Sequence, residues 1–423
     1  MTDIRKLLGN ITSLFTLQGA NFFLPLVTLP YLVRVLGPEK IGLIAFAQAF
    51  IQYMVVITDY GFNLSATRDV ALKRSSPEEL NDIISAVLMI KSCLAIAGGV
   101  IIIILISTIK IFQEHKTLYL AVYITVLGSA LFPLWLFQGL ERMKDISKLL
   151  IAARLITTAA IFIFIHNPGD YVYAAIIQSL PILLATLPAW IIIQNSHSYA
   201  WKHPKLVIIK QQLNNGWHIF LSTSAINIYS NSNLFILGIV TGPIAVAYFS
   251  VANKISSAVI GLYQPIVNTL YPHVSHLSSK SRQEAIIFVR KIFPIFIAVG
   301  LIASMILFLF APEIIRIVAG SNYQDSVPVL KLLSPLPFLL AFGLLFGGLT
   351  MLPLGMTKLF SWITITAAIV DLLAIYPLVI NFAAEGAAIS NVITELYVST
   401  IMAFIIVHKK ILSIPSATKD DVA

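Results

Sequence analysis

Residues 83–107 read IISAVLMIKSCLAIAGGVIIIILIS, and this stretch decides the fold class. It contains a single charged residue, Lys91. A helix of about 20 mainly apolar residues is long enough to cross the hydrocarbon core of a bilayer. A membrane-spanning barrel would instead show short segments of alternating hydrophobicity. The stretch therefore predicts a transmembrane α-helix.

The same pattern recurs along the whole chain and predicts an all-α integral membrane protein. Charged residues make up 11% of the sequence and hydrophobic residues 58%, whereas a soluble domain carries roughly 25% charged residues. The first apolar stretch runs on without a small-residue cleavage pattern, so we expect it to remain as a helix. We predict about twelve transmembrane helices and no soluble domain. The spans are about 11–33, 41–62, 83–107, 117–140, 147–165, 171–194, 217–240, 244–271, 292–311, 328–353, 359–380 and 384–407.

The basic residues are unevenly divided between the two sides of this predicted topology. The N-terminal tail and the even-numbered loops hold 19 of the 28 Lys and Arg residues, and the other side holds 6. Short loops rich in Lys and Arg stay in the cytoplasm, so both termini are predicted to be cytoplasmic. The same bias accounts for the net charge of +9. No nucleic-acid partner is therefore expected.

A short internal repeat relates the two halves of the chain. Gly37–Gly42 opens the second span and Gly242–Ala247 opens the eighth, at an offset of 205 residues. Parallel repeats are a known transporter design, although a chance match in apolar sequence is the alternative. We predict two six-helix bundles, residues 1–205 and 206–423, around a central cleft. Rocking of two such bundles would open the cleft to each side in turn.

The eighth span carries a polar stripe. Lys254, Ser257, Gly261, Gln264 and Asn268 follow steps of three and four residues, so they share one helix face. A charge near the middle of a membrane helix costs on the order of 3 kcal/mol and usually faces a cavity or a partner. The stripe is therefore interpreted as a cavity lining. A hydrogen-bonded seam between helices is the alternative.

Three other spans are unusually polar, and they correspond to one another across the predicted halves. Spans one, two and seven carry amide and hydroxyl side chains at helical spacing, so we expect them to line the same cleft. The residues are Gln18, Asn21, Pro25 and Thr28 in span one, Gln48, Gln52 and Asp59 in span two, and Ser224, Asn227, Ser230, Asn231 and Asn233 in span seven.

Charged residues in further spans have two interpretations. Asp371 and Glu395 are candidates for coupling transport to a proton or cation, or each simply pairs with a buried base. Asp59 is a further coupling candidate, and Lys91 and Arg154 also lie inside spans. Span ten is predicted to be kinked or broken because it contains several prolines and glycines. These are Pro335, Pro337, Gly343, Gly347 and Gly348.

The sequence carries little that indicates enzyme chemistry. His273 and His276 have a spacing that could ligate a metal ion, but no further ligand stands nearby in the sequence. No glycine-rich phosphate loop followed by lysine occurs, so no built-in ATPase is expected. We therefore expect no enzyme activity, no cofactor and no metal.

Four stretches carry a family resemblance: Pro25–Gly42 (PLVTLPYLVRVLGPEKIG), Asp59–Arg68 (DYGFNLSATR), Phe132–Gly139 (FPLWLFQG) and Tyr248–Lys254 (YFSVANK). They resemble the Wzx-type O-antigen and polysaccharide flippases of the multidrug/oligosaccharidyl-lipid/polysaccharide exporter superfamily. The resemblance covers essentially the whole chain.

This resemblance implies a substrate and a site. The substrate would be an undecaprenyl-diphosphate-linked oligosaccharide, carried from the cytoplasmic to the periplasmic face of the bacterial inner membrane. Basic residues of a central cavity would hold its anionic head group. Lys254 is the best candidate for this role, with Arg34 and Arg68 near the cavity mouths. The amides of Gln18, Asn21, Asn227, Asn231 and Gln264 would contact the sugar.

Other functions stay open at this point. A cation-coupled multidrug exporter would use acidic cavity residues, for which Asp59, Asp371 and Glu395 are available. A membrane glycan polymerase generally needs long extracytoplasmic loops, which this chain lacks. An O-antigen polymerase is a possible partner, and loop 195–216 could contact it or could anchor the chain at the lipid headgroups.

Overall fold

The structure is a computed structural model that describes residues 2–197 and 201–408, without the side chains of residues 2–23, 196, 197, 229, 230, 265 and 268. Every regular element within these ranges is helical. Helices suit a membrane because each satisfies its backbone hydrogen bonds internally. The chain divides into two compact units, Met1–Ala247 and Tyr248–Ala423. The predicted bundle boundary after residue 205 stays a prediction.

The first unit is built from nine α-helices, a 3₁₀ turn (Pro168–Asp170) and the start of a tenth helix. They are α1 (Thr2–Asp59), α2 (Phe62–Lys73), α3 (Pro77–Thr108), α4 (Lys110–Gln113), α5 (Lys116–Leu131), α6 (Leu134–Gly139), α7 (Met143–Phe164), α8 (Tyr171–His197), α9 (Leu206–Thr241) and α10, which spans Pro243–Gly261.

The second unit contains the rest of α10, six further α-helices, a 3₁₀ turn and a π-helix. These elements are α11 (Tyr263–Lys280), α12 (Arg282–Leu309), α13 (Ala311–Val318), the 3₁₀ turn (Ser321–Tyr323), α14 (Ser326–Leu333), α15 (Leu336–Gly343), the π-helix (Leu344–Met351) and α16 (Thr357–His408).

Each of the twelve predicted spans falls on helical structure: most on one helix or part of one, some on two consecutive helices, and span ten on α14, α15 and the π-helix. Nine segments of the described residues are long and apolar enough to cross a membrane. Two of them, Leu24–Lys73 with 50 residues and Thr357–His408 with 52, are long enough to hold two spans each. They are broken at Gly37 and Ala383, where the backbone leaves the helical conformation. The 36-residue α9 contains the seventh predicted span.

The two arms of the sequence repeat adopt the same local conformation. Gly37 has φ 73° and ψ 171°, and Gly242 has φ 86° and ψ −176°. Glycine reaches positive φ without steric cost, and the proline after each glycine starts the next helix with a preset φ. The shared geometry supports the predicted repeat.

The two repeat arms also touch within the first unit. A β-carbon at Gly42 would overlap the carbonyl oxygen of Pro243, so α1 approaches the start of α10 as closely as backbones allow. Further along the same helix, the rings of Phe46 and Phe235 stack with centroids 5.6 Å apart. Stacking of this kind adds about 0.5–1.5 kcal/mol beyond the burial of area.

The Phe132–Gly139 stretch forms part of the core of the first unit. Trp135 and Phe137 are completely buried. A β-carbon at Gly139 would lie 2.5 Å from Cγ1 of Val70, so this glycine permits the close contact between α2 and α6. This part of the family resemblance therefore has a packing role.

Span ten is broken, which confirms the prediction from its prolines and glycines. α14 ends at Leu333, α15 begins at Leu336, and the π-helix follows directly from α15. The Thr350 hydroxyl donates to the carbonyl of Leu345, five residues earlier, at 2.7 Å. π-helical turns are rare and frequently occur at functional sites.

Candidate functional site

Lys254 lies near the middle of α10, about 16 Å along the helix from Pro243 at the helical rise. Its side chain is exposed. That the side chain faces a cavity stays a prediction. Lys254 makes no hydrogen bond or ion pair with any side chain that the structure describes.

The rest of the predicted stripe follows Lys254 along α10 and into α11. Ser257 and Gln264 are exposed, and Gly261 is buried at the end of α10. The intervening Ser256 is also buried, with 1% of its surface exposed. The exposed face of α10 around Lys254 and Ser257 is therefore polar, whereas Leu262 and Ile266 are exposed beside Gln264 on α11. A cavity lining stays a prediction. Asn268 belongs to the residues whose side chains are not described.

The amides of α9 are partly engaged by their own helix. Asn227 donates to the carbonyl of Thr223 at 2.9 Å, and Asn231 donates to the carbonyl of Asn227 at 3.1 Å. Each amide thereby fixes its own orientation and keeps its side-chain oxygen as an acceptor. These two residues are positioned to accept hydrogen bonds from hydroxyl groups such as those of a sugar.

The remaining predicted contact residues lie on α1 and α2, far from this stripe in sequence. Arg34 is exposed on α1 shortly before the break at Gly37, and Arg68 is exposed on α2. Gln18 and Asn21 lie in the part of α1 whose side chains are not described. Their predicted contact with substrate stays a prediction.

Asp59 and Lys91 form an ion pair between α1 and α3. The Lys91 ammonium lies 2.8 Å from Oδ1 of Asp59, with 1% of the lysine side chain exposed against 27% of the aspartate. Asn63 donates to Oδ2 at 2.9 Å and Ser129 to Oδ1 at 3.2 Å. The sequence offered pairing with a buried base only for Asp371 and Glu395, so this pair was not predicted. A coupling role for Asp59 stays a prediction.

Two buried carboxyl groups of α16 have contrasting surroundings. Oδ1 of Asp371 accepts hydrogen bonds from Ser390 at 3.0 Å and Thr394 at 3.2 Å, and the side chain is completely buried. Glu395 is 8% exposed and has no hydrogen bond or ion pair with the described residues. Its Oε1 lies 3.2 Å from where a β-carbon of Gly343 would stand, at the start of the π-helix.

A cavity of about 210 Å³ in the first unit contains a charge that the predicted site did not include. It lies among α1, α5, α7 and α8. Arg154 lines it together with Thr157, Thr158 and Ile161, which share one face of α7. The spacing of these four residues was visible in the sequence, but one charge and two threonines were too few to indicate a site. Only the α8 residues on the opposite side show that this face of α7 lines a cavity.

A family model described as "Polysaccharide biosynthesis protein" matches residues 7–278. The chain belongs to the polysaccharide biosynthesis protein family. This confirms the resemblance inferred from the four quoted stretches, all of which lie within the matched residues.

Two relatives extend this result over most of the chain. A protein of Escherichia coli (strain K12) named "Putative O-antigen transporter" is 34% identical over 411 residues, which cover 97% of this chain and 99% of that protein. A protein of Haloferax volcanii named "Probable low-salt glycan biosynthesis flippase Agl15" is 22% identical and covers 89% of this chain and 79% of that protein.

Solved structures show the same fold at low sequence identity. The lipid II flippase MurJ in an inward closed conformation has a TM-score of 0.75 at 12% identity, covering 96% of this chain and 89% of that one. An inward-facing multidrug resistance transporter of the MATE family and MOP superfamily has a TM-score of 0.74 at 16% identity, covering 92% and 94%. This member of the polysaccharide biosynthesis family is therefore an all-α integral membrane protein with a transporter fold, as predicted.

Proposed function

We propose that the protein is a flippase for undecaprenyl-diphosphate-linked O-antigen or polysaccharide repeat units. It moves them from the cytoplasmic to the periplasmic leaflet of the inner membrane, with both of its own termini in the cytoplasm. The observation that carries the proposal is Lys254, an exposed lysine in the middle of a membrane helix without a described partner. A charged side chain inside a membrane span costs free energy, and binding of an anionic substrate would be a reason to keep a cation at this position.

The proposed site assigns a separate task to each group. Lys254 pairs with a phosphate of the head group, while Ser257 and Gln264 on the same face contact the sugar. Asn227 and Asn231 accept hydrogen bonds from sugar hydroxyls through their side-chain oxygens, because their N–H groups are directed to the α9 backbone. The prenyl chain remains in the lipid. Alternating access then exposes the site to the periplasm.

The membrane potential favours this direction of transport. Moving one elementary charge through 100 mV is worth about 2.3 kcal/mol. The cytoplasm is negative, so outward movement of an anionic diphosphate is downhill. Return of an empty site that carries the Lys254 ammonium to the cytoplasmic side is downhill as well.

Glu395 and Asp371 are the proposed coupling groups of the second unit. A carboxyl group buried without a partner, as at Glu395, can take up or release a proton when its surroundings change. Oδ1 of Asp371 together with the hydroxyls of Ser390 and Thr394 offers the oxygen atoms that small cations prefer. Asp59 is the weaker candidate because it is already paired with Lys91.

A flipping assay in proteoliposomes tests the proposal. The substrate is a labelled undecaprenyl-diphosphate oligosaccharide, and a reagent that cannot cross the bilayer modifies the outward-facing sugar. We expect protein-dependent exposure of the sugar that Lys254→Gln reduces strongly and Lys254→Arg reduces less. Lys110→Gln, an equally conservative change at an exposed lysine, is the matched control. Absence of protein-dependent exposure with several glycans would reject the flippase.

A multidrug exporter is the second candidate, favoured by the MATE-like fold together with the buried Glu395 and Asp371. Such an exporter would move cationic compounds, and its activity would depend on the carboxyl groups rather than on Lys254. Uptake of a cationic dye by the same proteoliposomes distinguishes the two functions. A contact between loop 195–216 and an O-antigen polymerase remains a proposal of the same kind, testable by co-purification.

A further inference from the structure

Arg154 lies halfway along α7, eleven residues after the helix begins at Met143. It therefore stands about 16 Å from that end of a 22-residue membrane helix. An ionisable group at this depth generally faces a water-filled cavity or a functional partner. Arg154 lines the cavity of about 210 Å³ in the first unit.

The described lining of the cavity carries charge of one sign. Arg154 is the charged residue of its described lining, which includes no carboxylate. The aspartate on α1, Asp59, is held by Lys91 at 2.8 Å and lies outside this lining. A cavity with a guanidinium and neutral polar groups is suited to an anion.

The neutral groups of the lining fall into two classes. The hydroxyls of Thr28, Thr157 and Ser179 donate to carbonyls of their own helices, so they are used in the fold. Thr125 and Thr158 make no hydrogen bond with the described residues. They leave their hydroxyls available to a ligand.

Gln178 adds a third available donor. Gln48 donates through Nε2 to Oε1 of Gln178 at 3.1 Å. This bond uses the acceptor of Gln178 and orients its amide, whose N–H groups have no partner among the described residues. The guanidinium, the Gln178 amide and the two threonine hydroxyls come from α5, α7 and α8, so they surround a bound group from three helices.

The volume of the cavity and its donors favour a polyatomic oxyanion over a halide ion. A single water needs roughly 10–15 Å³ of such volume, so about 210 Å³ is far more than a lone halide requires. A guanidinium binds phosphate oxygens through two parallel hydrogen bonds, and hydroxyl and amide donors suit the remaining oxygens.

We propose that this cavity is a phosphate- or diphosphate-binding subsite of the first unit, whose lining does not include Lys254. Arg154 is its charged ligand and Gln178, Thr125 and Thr158 are its neutral donors. The assignment of the bound group to a lipid-linked saccharide rests on the proposed function, whereas binding of the oxyanion itself does not.

Binding of inorganic diphosphate to the full-length protein in nanodiscs tests the subsite. We expect Arg154→Gln to weaken binding by roughly tenfold or more, because it removes charge-assisted hydrogen bonds. Arg154→Lys restores part of the affinity by returning the charge without the fork geometry. Arg290→Gln, the same change at an exposed position of α12, leaves the affinity unchanged. A melting curve for each variant establishes that it is folded.

A second arm identifies the source of the anion. Nanodiscs that contain undecaprenyl diphosphate should compete with inorganic diphosphate in the wild type and not in Arg154→Gln, which supports a lipid head group at the site. Binding of inorganic diphosphate that depends on Arg154 but meets no lipid competitor supports a site for a free oxyanion instead. Equal affinity of folded Arg154→Gln and wild type for both probes would overturn the subsite, as would no binding at all.

The outcome is separable from that of the flipping assay. If no lipid-linked saccharide is flipped but diphosphate binding depends on Arg154, the subsite stands and the proposed function fails. If the saccharide is flipped but diphosphate binding does not depend on Arg154, the proposed function stands and the subsite fails.

Discussion

Lys91 and Lys254 are both lysines in the middle of apolar membrane helices, one in each unit, and the structure treats them in opposite ways. Lys91 is 1% exposed and pairs with Asp59, which Asn63 and Ser129 also contact. Lys254 is exposed and has no partner among the described residues. The comparison teaches that a lysine in a membrane span is held in place where a carboxylate reaches it, as at Lys91. Where no described carboxylate does so, as at Lys254, the ammonium is left for the binding role proposed above.

Loss of the buried lysine should have the largest effect on stability. Lys91→Met leaves Asp59 without its cation, so we expect the free energy of unfolding in detergent to fall by about 3 kcal/mol. The partial exposure of Asp59 places this at the low end for a buried pair. Denaturant unfolding measures it. The double variant Lys91→Met with Asp59→Asn should recover much of the loss, and a single variant as stable as the wild type would contradict the structural role.

Replacement of Lys254 should slow flipping and leave stability almost unchanged. Lys254→Gln removes a charged hydrogen-bonding partner of a phosphate, worth about 1.5–3 kcal/mol, so the flipping rate should fall about 10- to 100-fold. Its free energy of unfolding should change by less than about 0.5 kcal/mol. The proteoliposome assay and the unfolding curve together check this. Strong destabilisation with a normal flipping rate would mean that Lys254, like Lys91, has a structural role.

Asp371 and Glu395 of α16 give the same comparison for carboxyl groups, one hydrogen-bonded and one without a described partner. Asp371→Asn alters an acceptor of two buried hydroxyls and should cost about 1 kcal/mol of stability. Glu395→Gln disturbs no described hydrogen bond and should change stability less. If Glu395 carries the coupling proton, flipping by Glu395→Gln should no longer respond to an imposed pH gradient that changes the wild-type rate. An unchanged response would remove Glu395 from the coupling mechanism.

Two adjacent serines give the smallest and sharpest test. Ser257 is exposed on the Lys254 face, and Ser256 is buried on the other side of α10. Ser257→Ala should slow flipping about threefold, the value of one neutral hydrogen bond. Ser256→Ala should leave the rate unchanged. Equal effects of the two changes would mean that the exposed face of α10 does not contact the substrate.

The helices were predictable because the length of an apolar run is a local property. Residues 83–107, for example, lie within α3 as expected, and the prolines and glycines of span ten led to a break. Gly37 and Gly242 also showed their role in sequence, since a glycine followed by a proline between two apolar runs marks the end of one helix and the start of another.

The candidate site was predictable only where one helix contains it. The Lys254 stripe follows from spacing along α10, where Lys254 and Ser257 are exposed as predicted, and continues to the exposed Gln264 at the start of α11. The donors around Arg154 come from α5, α7 and α8, whose packing no single helix reveals. Their assembly was therefore missed.

The sequence by itself determined that this is a membrane protein of about twelve helices with charges at a few positions inside the spans. Hydrophobic length and helical spacing are sufficient for that, because both act within one helix. Only the tertiary structure decided that Lys91 meets Asp59, 32 residues away, and that Arg154 faces a cavity. The free energy of a charge in a membrane depends on the groups within a few ångströms, and these come from other helices.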